Sequence, residues 1–299
     1  LEEAIEAYNK ALSISPDNIE AKLNLVELLK IYSPQGTKDN NLIMIDRKIK
    51  LNISQDYFYR NDADLALSIM KIIKQIKKID NEIGTELSQI YKRGTTYMNC
   101  ERHMEIFETK EIIPEFCFGC YKVQVEVFTV LDLIRLSMLF YEVKFARNNP
   151  RKCMIETRPK IKGSFKGFVY CRGFSEAEKV KEILDADLQK MNKSSLSKIK
   201  RGCSEYEPTF PEYSKISNRG KSTMQYPENW KSIDNEFDRR SKHVEKSFNL
   251  PSMCQFCLSD FLIIQRWIDY AKGIGDPTSN FFAELDIKYH DTFSLAQVR

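Results

Sequence analysis

The chain lacks the long apolar run that a membrane-spanning helix requires. Its most hydrophobic stretch, Val130 to Val143, is interrupted by Asp132 and Arg135. It opens at Leu1 without the basic and apolar regions of a secretory leader. There is no glycine-rich phosphate loop and no Gly-x-Ser-x-Gly, so nucleotide cradling and serine-nucleophile chemistry have no signature. The three histidines, His103, His243 and His290, show no paired spacing, and the acidic residues are too scattered to mark a general-acid pair. A net charge of +4 is small against 46 basic and 42 acidic residues, so composition alone does not point to nucleic acid.

Cysteine is too sparse for a disulfide framework. Eight in 299 residues, four of them in two Cys-x-x-Cys pairs, fit metal or thiol chemistry in a reducing compartment and lead us to expect a cytoplasmic protein. With 42% hydrophobic and 29% charged residues the chain can bury a core, and its length allows two domains. We place them at 1–95, helical, and 96–299, Cys-rich and α+β, the latter with a long loop at 204–252 and a C-terminal helix.

In the first domain, Ala4, Tyr8, Ala11 and Pro16 have the small-aromatic-small-proline spacing of a repeat helix. Asp17 and Asn18 then start a second helix, with Ala21, Leu25, Leu28 and Leu29 in helical period. Leu1 to Tyr32 thus resembles the tetratricopeptide repeat family, with Leu1 falling mid-repeat as at the end of a longer array. The resemblance implies paired helices and a surface for a protein partner. It stops at the polar Pro/Gly segment Ser33 to Asn41. Two more helices are expected, Ala63 to Ile79 with Leu65, Ile69, Ile72, Ile73 and Ile76 on one face, and a shorter one over Ile83 to Tyr91.

From Tyr121 the period changes to two. Val123, Val125 and Val127 mark a strand, Val130 to Phe145 a helix, Lys152 to Arg158 and Phe165 to Arg172 a hairpin, Ser175 to Met191 a helix capped by Ser175, and Ser197 to Cys203 a fourth strand. This β-α-β-β-α-β order predicts a ferredoxin-like domain. Strand parity sets Cys153, Cys171 and Cys203 on the helix-facing side with Ile155, Val169 and Ile199, as small core hydrophobes. The other face would carry Lys166, Phe168, Tyr170 and Arg172. Lys166-Gly167-Phe168-Val169-Tyr170 is similar to a shortened third-strand signature of the RNA-recognition motif, which implies base stacking on Phe168 and Tyr170 with phosphate contacts from the basic pair. The first strand, with Lys122 and Gln124 on this face, lacks that family's aromatic. A covered face, packed under other segments, is the competing expectation.

The remaining cysteines carry the main functional expectation. Two residues spaced by two can grip zinc from one turn. Cys100-x-x-His103 with Cys117-x-x-Cys120 gives a local set of three thiols and one imidazole. Cys117 and Cys120 with the distant Cys254 and Cys257 give a set of four thiols. An iron-sulfur cluster would use the same four cysteines. Cys254 and Cys257 open an apolar helix, Leu258 to Lys272, the position that lowers a thiol pKa in redox dithiols. The sequence therefore supports a zinc-stabilised interaction protein first, an RNA-binding sheet face second, and a thiol-redox or iron-sulfur enzyme third.

Overall fold

The computed structural model describes residues 1–35, 40–52, 61–92, 94, 98–158, 161–190, 196–217, 223–240 and 255–283. Cys254, His243 and His290 lie outside them. The described chain is a mixed α+β structure, and none of its helices is long and apolar enough to cross a membrane.

Four helices come first: α1 (Glu2–Ile14), α2 (Ile19–Ile31), α3 (Asn41–Asn52) and α4 (Asp62–Ile79). Local chemistry starts two of them, because Asn18 and Asn61 accept hydrogen bonds from the N–H groups of Ala21 and Asp64 and satisfy donors that the first turn leaves open. Beyond α4 the short helix expected over Ile83 to Tyr91 is absent. The chain runs extended there into β1 (Gln89–Lys92), which pairs antiparallel with β3 (Arg151–Ile155) and buries Ile90. The pairing supplies the backbone bonds that a two-turn helix would have made, and the edge of the sheet wins over local periodicity.

Between them lie α5 (Cys100–Lys110), the single turn α6 (Glu115–Phe118), β2 (Cys120–Val127) and α7 (Val130–Glu142). After β3 come β4 (Phe165–Arg172), α8 (Phe174–Lys190) and β5 (Leu196–Arg201). The five strands form one antiparallel sheet in the order β1-β3-β4-β2-β5. Helices α7 and α8 cover one face, packing on Val123, Val125, Ile155, Val169, Cys153 and Cys171. Gly167 makes that packing close: a Cβ there would sit 2.6 Å from a Leu136 methyl and 3.0 Å from the Phe140 ring. Helix α8 starts at Phe174 after Gly173 at φ +95°, two residues earlier than the Ser175 cap would allow.

The segment expected to be an irregular loop carries a 3-10 turn at Pro211–Ser214 and a helix, α9 (Glu228–Arg240). Arg102 of α5 and Asp234 of α9 form a 2.6 Å ion pair, and Asp234 also accepts the Glu115 N–H at 3.0 Å. These contacts, remote in sequence, are what organise a segment whose own pattern is weak.

Helix α10 (Leu258–Ile274) is buried on nearly every side. It packs on α2, α3, α4 and α7 and reaches the sheet edge at β1, so one continuous core runs from Ile5 to Phe282. Residues on both sides of position 95 belong to it. Trp267 Nε1 donates to Ser88 O at 2.8 Å and the Tyr270 hydroxyl to Glu156 O at 2.9 Å. At its start, Asp260 accepts from the Cys257 N–H (3.0 Å) and the Tyr141 hydroxyl (2.9 Å), while Asp46 accepts from the Leu258 N–H (2.9 Å) and pairs with Lys50 (2.8 Å).

Burial pushes the Asp260 carboxyl up to about 6, against roughly 3.9 in an unfolded chain. Between those values the folded protein holds a proton that the unfolded chain has released. The Asp260 contribution is therefore most favourable at the acid end and is lost as pH rises through 6. It amounts to roughly 2–3 kcal/mol. Asp269, pushed up to about 7 by burial, acts in the same direction. Asp260→Asn keeps an oxygen to accept both hydrogen bonds, so urea unfolding at pH 5 and pH 7.5 should show a smaller pH slope in the variant. An unchanged slope would refute this assignment.

Candidate metal centre at a thiol junction

The candidate thiols lie on α5, α6, β2 and just past the end of β5. Cys117 lies in α6 and Cys120 opens β2, with Gly119 turning the chain between them. Cys120 is set opposite Gly202, which follows β5, and the Gly202 N–H donates to Cys120 O at 3.0 Å. The two strands are so close here that a Cβ on Gly202 would lie 2.5 Å from Cys120 Sγ. The next residue, Cys203, is thereby brought near Cys117.

The electrostatics follow from that nearness. The interaction between the two buried thiols raises Cys117, as burial does, and holds Cys203 below the ordinary thiol range. Burial, with Cys203 and Cys100 nearby, pushes Cys120 up to about 12. Cys100, exposed at the first turn of α5, is pushed up to about 11 by desolvation of its thiol and by Cys203. Tyr170, beside the same thiols, is raised well above its usual value by burial. Lys122 and Lys152 are lowered by burial, and both lie within electrostatic reach of Cys203 and Glu205.

Aromatic packing walls the junction. Tyr206 meets Phe107 and Tyr213 edge-on, with centroids 4.8 and 5.3 Å apart, and the Tyr213 hydroxyl donates to Cys117 O at 3.0 Å. The buried Arg201 guanidinium stacks on Phe118, Tyr121 and Tyr213 at 4.4 to 4.9 Å. Two small clusters form the core here, one around Ile113, Cys117, Tyr206 and Tyr213 and one around Ile106, Ile112 and Phe237.

Of the residues singled out from sequence, Cys117 and Cys120 flank one turn, and Cys100 lies within electrostatic range of Cys120. His103 sits one turn into α5, buried and stacked on Phe116 at 5.1 Å. The Cys-x-x-His spacing is helical here, and the two side chains do not come from one tight knuckle. Cys257 is buried at the start of α10, its thiol on Asp260 at 3.3 Å, and its surroundings are Asp46 and Tyr141. Cys153 and Cys171 are core residues as expected from parity, but Cys203 is not. β5 ends at Arg201, so strand parity no longer governs position 203. A recurrent dipeptide could have flagged it, since Gly119-Cys120 and Gly202-Cys203 face each other across the strand pair.

The sheet face opposite α7 and α8 is occupied by the protein's own side chains. Phe168 is 8% exposed, with Lys122 and Lys152 ammonium groups 5.1 and 5.8 Å from its ring centre. Lys166 is buried against Glu156 at 3.3 Å, Tyr170 is partly buried, and the Arg172 guanidinium lies over Phe116 at 5.0 Å. A base cannot stack on Phe168 without displacing the lysines.

No family model, curated protein or solved structure matches the chain. Among the described residues, no group of three or more His, Cys, Asp or Glu side chains is placed so that it could hold a metal ion.

The close approach of Gly202 to Cys120 can be tested directly. Gly202→Ala must push the Cys120 thiol or part the strands, and it is expected to cost roughly 1–3 kcal/mol. Cys120 alkylation should rise in parallel under native conditions. Wild-type stability with wild-type labelling would show that the approach is not close.

Proposed function

We propose that this chain is a non-catalytic interaction scaffold of a reducing compartment, the cytoplasm, in which a structural zinc clips the thiol junction of a ferredoxin-like unit. The strand order after β1 and the two helices on one face support the ferredoxin-like reading. The observation that carries the zinc reading is the convergence of thiols from separate elements on a corner with little apolar core of its own. Such a corner gains its stability from a cross-link, and thiols are zinc's preferred structural ligands. Bound there, the metal would tie α6 and the ends of β2 and β5 into one rigid block.

The tetratricopeptide-like start supports the interaction part. Helices α1 and α2 pack on each other, and Ile14, Ile19 and Leu23 stay exposed around their connection. Beside them a cleft of about 560 Å³ is lined by Leu12, Pro16, Asp17, Lys22, Asp80 and Glu82, among others. A protein segment with apolar and basic side chains fits this combination of surfaces. The nearness of Cys117 and Cys203 also favours a second reading, a dithiol that forms a disulfide on oxidation.

Full-length protein purified under reducing conditions is expected to carry about one zinc per chain. Chelation should lower its melting temperature by roughly 10 °C or more, because a structural site's binding energy is folding energy. Metal-free protein with an unchanged melt refutes the zinc reading, and a stable Cys117–Cys203 disulfide in mildly oxidised protein favours the dithiol.

A further inference from the structure

We infer that the cleft at one end of the N-terminal helices is the docking site for a basic side chain of a partner protein segment, with the Asp17 and Glu82 carboxylates as its receptors. This rests on the interaction reading above and names the chemistry that the cleft selects. It does not depend on zinc.

The cleft, of about 560 Å³, lies where the α1–α2 connection, the start of α3 and the turn after α4 converge. That is the size of sites that enclose drug-sized ligands, so side chains of a peptide fit. Leu12, Leu42 and Ile79 give it apolar wall, and its charged lining is Asp17, Lys22, Asp80 and Glu82. Lys22 and Asp80 cancel each other in a 2.5 Å ion pair. Asp80 is committed on its other oxygen as well, which accepts the N–H groups of Glu82 and Ile83 at 3.0 Å. The Asp17 and Glu82 carboxylates are different. Both residues are exposed and, among the described residues, their side chains have neither ion pair nor hydrogen bond. Lys77 and Lys78, in the last turn of α4, are not part of the lining. Two uncompensated negative charges therefore face a space with apolar walls, and their complement is a cation.

An anion has no comparable place. Two helices start at the cleft, and both N-termini are capped from within. Asn18 accepts the Ala21 N–H at 2.9 Å for α2, and Asn40 accepts the Ile43 N–H at 3.0 Å for α3. The Asn40 amide also donates to Asn9 at 2.7 Å, which holds that cap in place. The cap side chains occupy the positions that a phosphate or a carboxylate would take, and Asp17 and Glu82 repel an acidic segment. Ile14, Ile19 and Leu23, exposed in the α1–α2 connection and at the start of α2, supply the apolar half of the surface. They suit an aliphatic residue next to the basic one.

The test uses full-length reduced protein and two labelled synthetic peptides, one of alternating leucine and arginine and one of alternating leucine and glutamate, with binding read by fluorescence anisotropy. The leucine–arginine peptide is expected to bind, and to weaken as salt screens the carboxylates. Asp17→Asn combined with Glu82→Gln should weaken it about tenfold, with an unchanged melting temperature because both positions are exposed. Glu178→Gln combined with Glu182→Gln removes the same charge from exposed positions of α8 and should bind as the wild type does. Equal weakening in the two double variants overturns the site, since attraction would then be general. Binding of the leucine–glutamate peptide that is lost in Leu23→Ser overturns the selection for a cation and leaves the interaction reading standing. Failure of both peptides to bind overturns both.

Discussion

A helix that is apolar on almost every side has to be enclosed, and α10 imposes that constraint on the whole molecule. Its buried residues from Leu258 to Ala271 demand partners all round. Helices α2, α3 and α4 supply one side, α7 and the sheet edge at β1 the other. The N-terminal helices and the sheet therefore share one core. The buried carboxylates Asp46 and Asp260 satisfy the open N–H groups at the start of α10, so polar contacts set its position where apolar contacts alone would let it slide.

The opposite corner of the molecule is built differently. Helices α5, α6 and α9 and the turn after β5 have only two small clusters, and much of their cohesion comes from aromatic edges, the Arg201 stack and the Arg102–Asp234 pair. Cys117, Cys120 and Cys203 lie at this corner. The contrast supplies the physical logic of the proposed zinc clip, since a region with too little apolar surface to hold itself is where a coordinate cross-link contributes most.

The strands β2, β3 and β4 and the helices α4, α7 and α10 were legible because burial on one face writes a period of two or 3.6 into the sequence. Val123, Val125 and Val127 are one such record, and Leu65, Ile69, Ile73 and Ile76 another. The elements that local pattern did not show are those held by distant partners. β1 exists because β3 offers an edge, and α9 because Asp234 reaches Arg102 and Glu115. Parity failed at Cys203 because it holds only inside a strand, and β5 stops two residues earlier.

Sequence by itself determined the mixed α+β class, the cysteine-rich stretch from Cys100 to Cys120 as the chemically distinctive region, and the burial of Cys153 and Cys171. Those follow from residue type and short spacing, which operate locally. Tertiary structure decided which thiols are neighbours. Cys203 is 83 residues beyond Cys120 in the chain yet adjacent across one strand pair, while Cys257, equally suggestive in its Cys-x-x-Cys, is drawn into the capping of α10. Spacing along a chain says how two side chains can share a turn. Only strand register and helix packing say which turns meet.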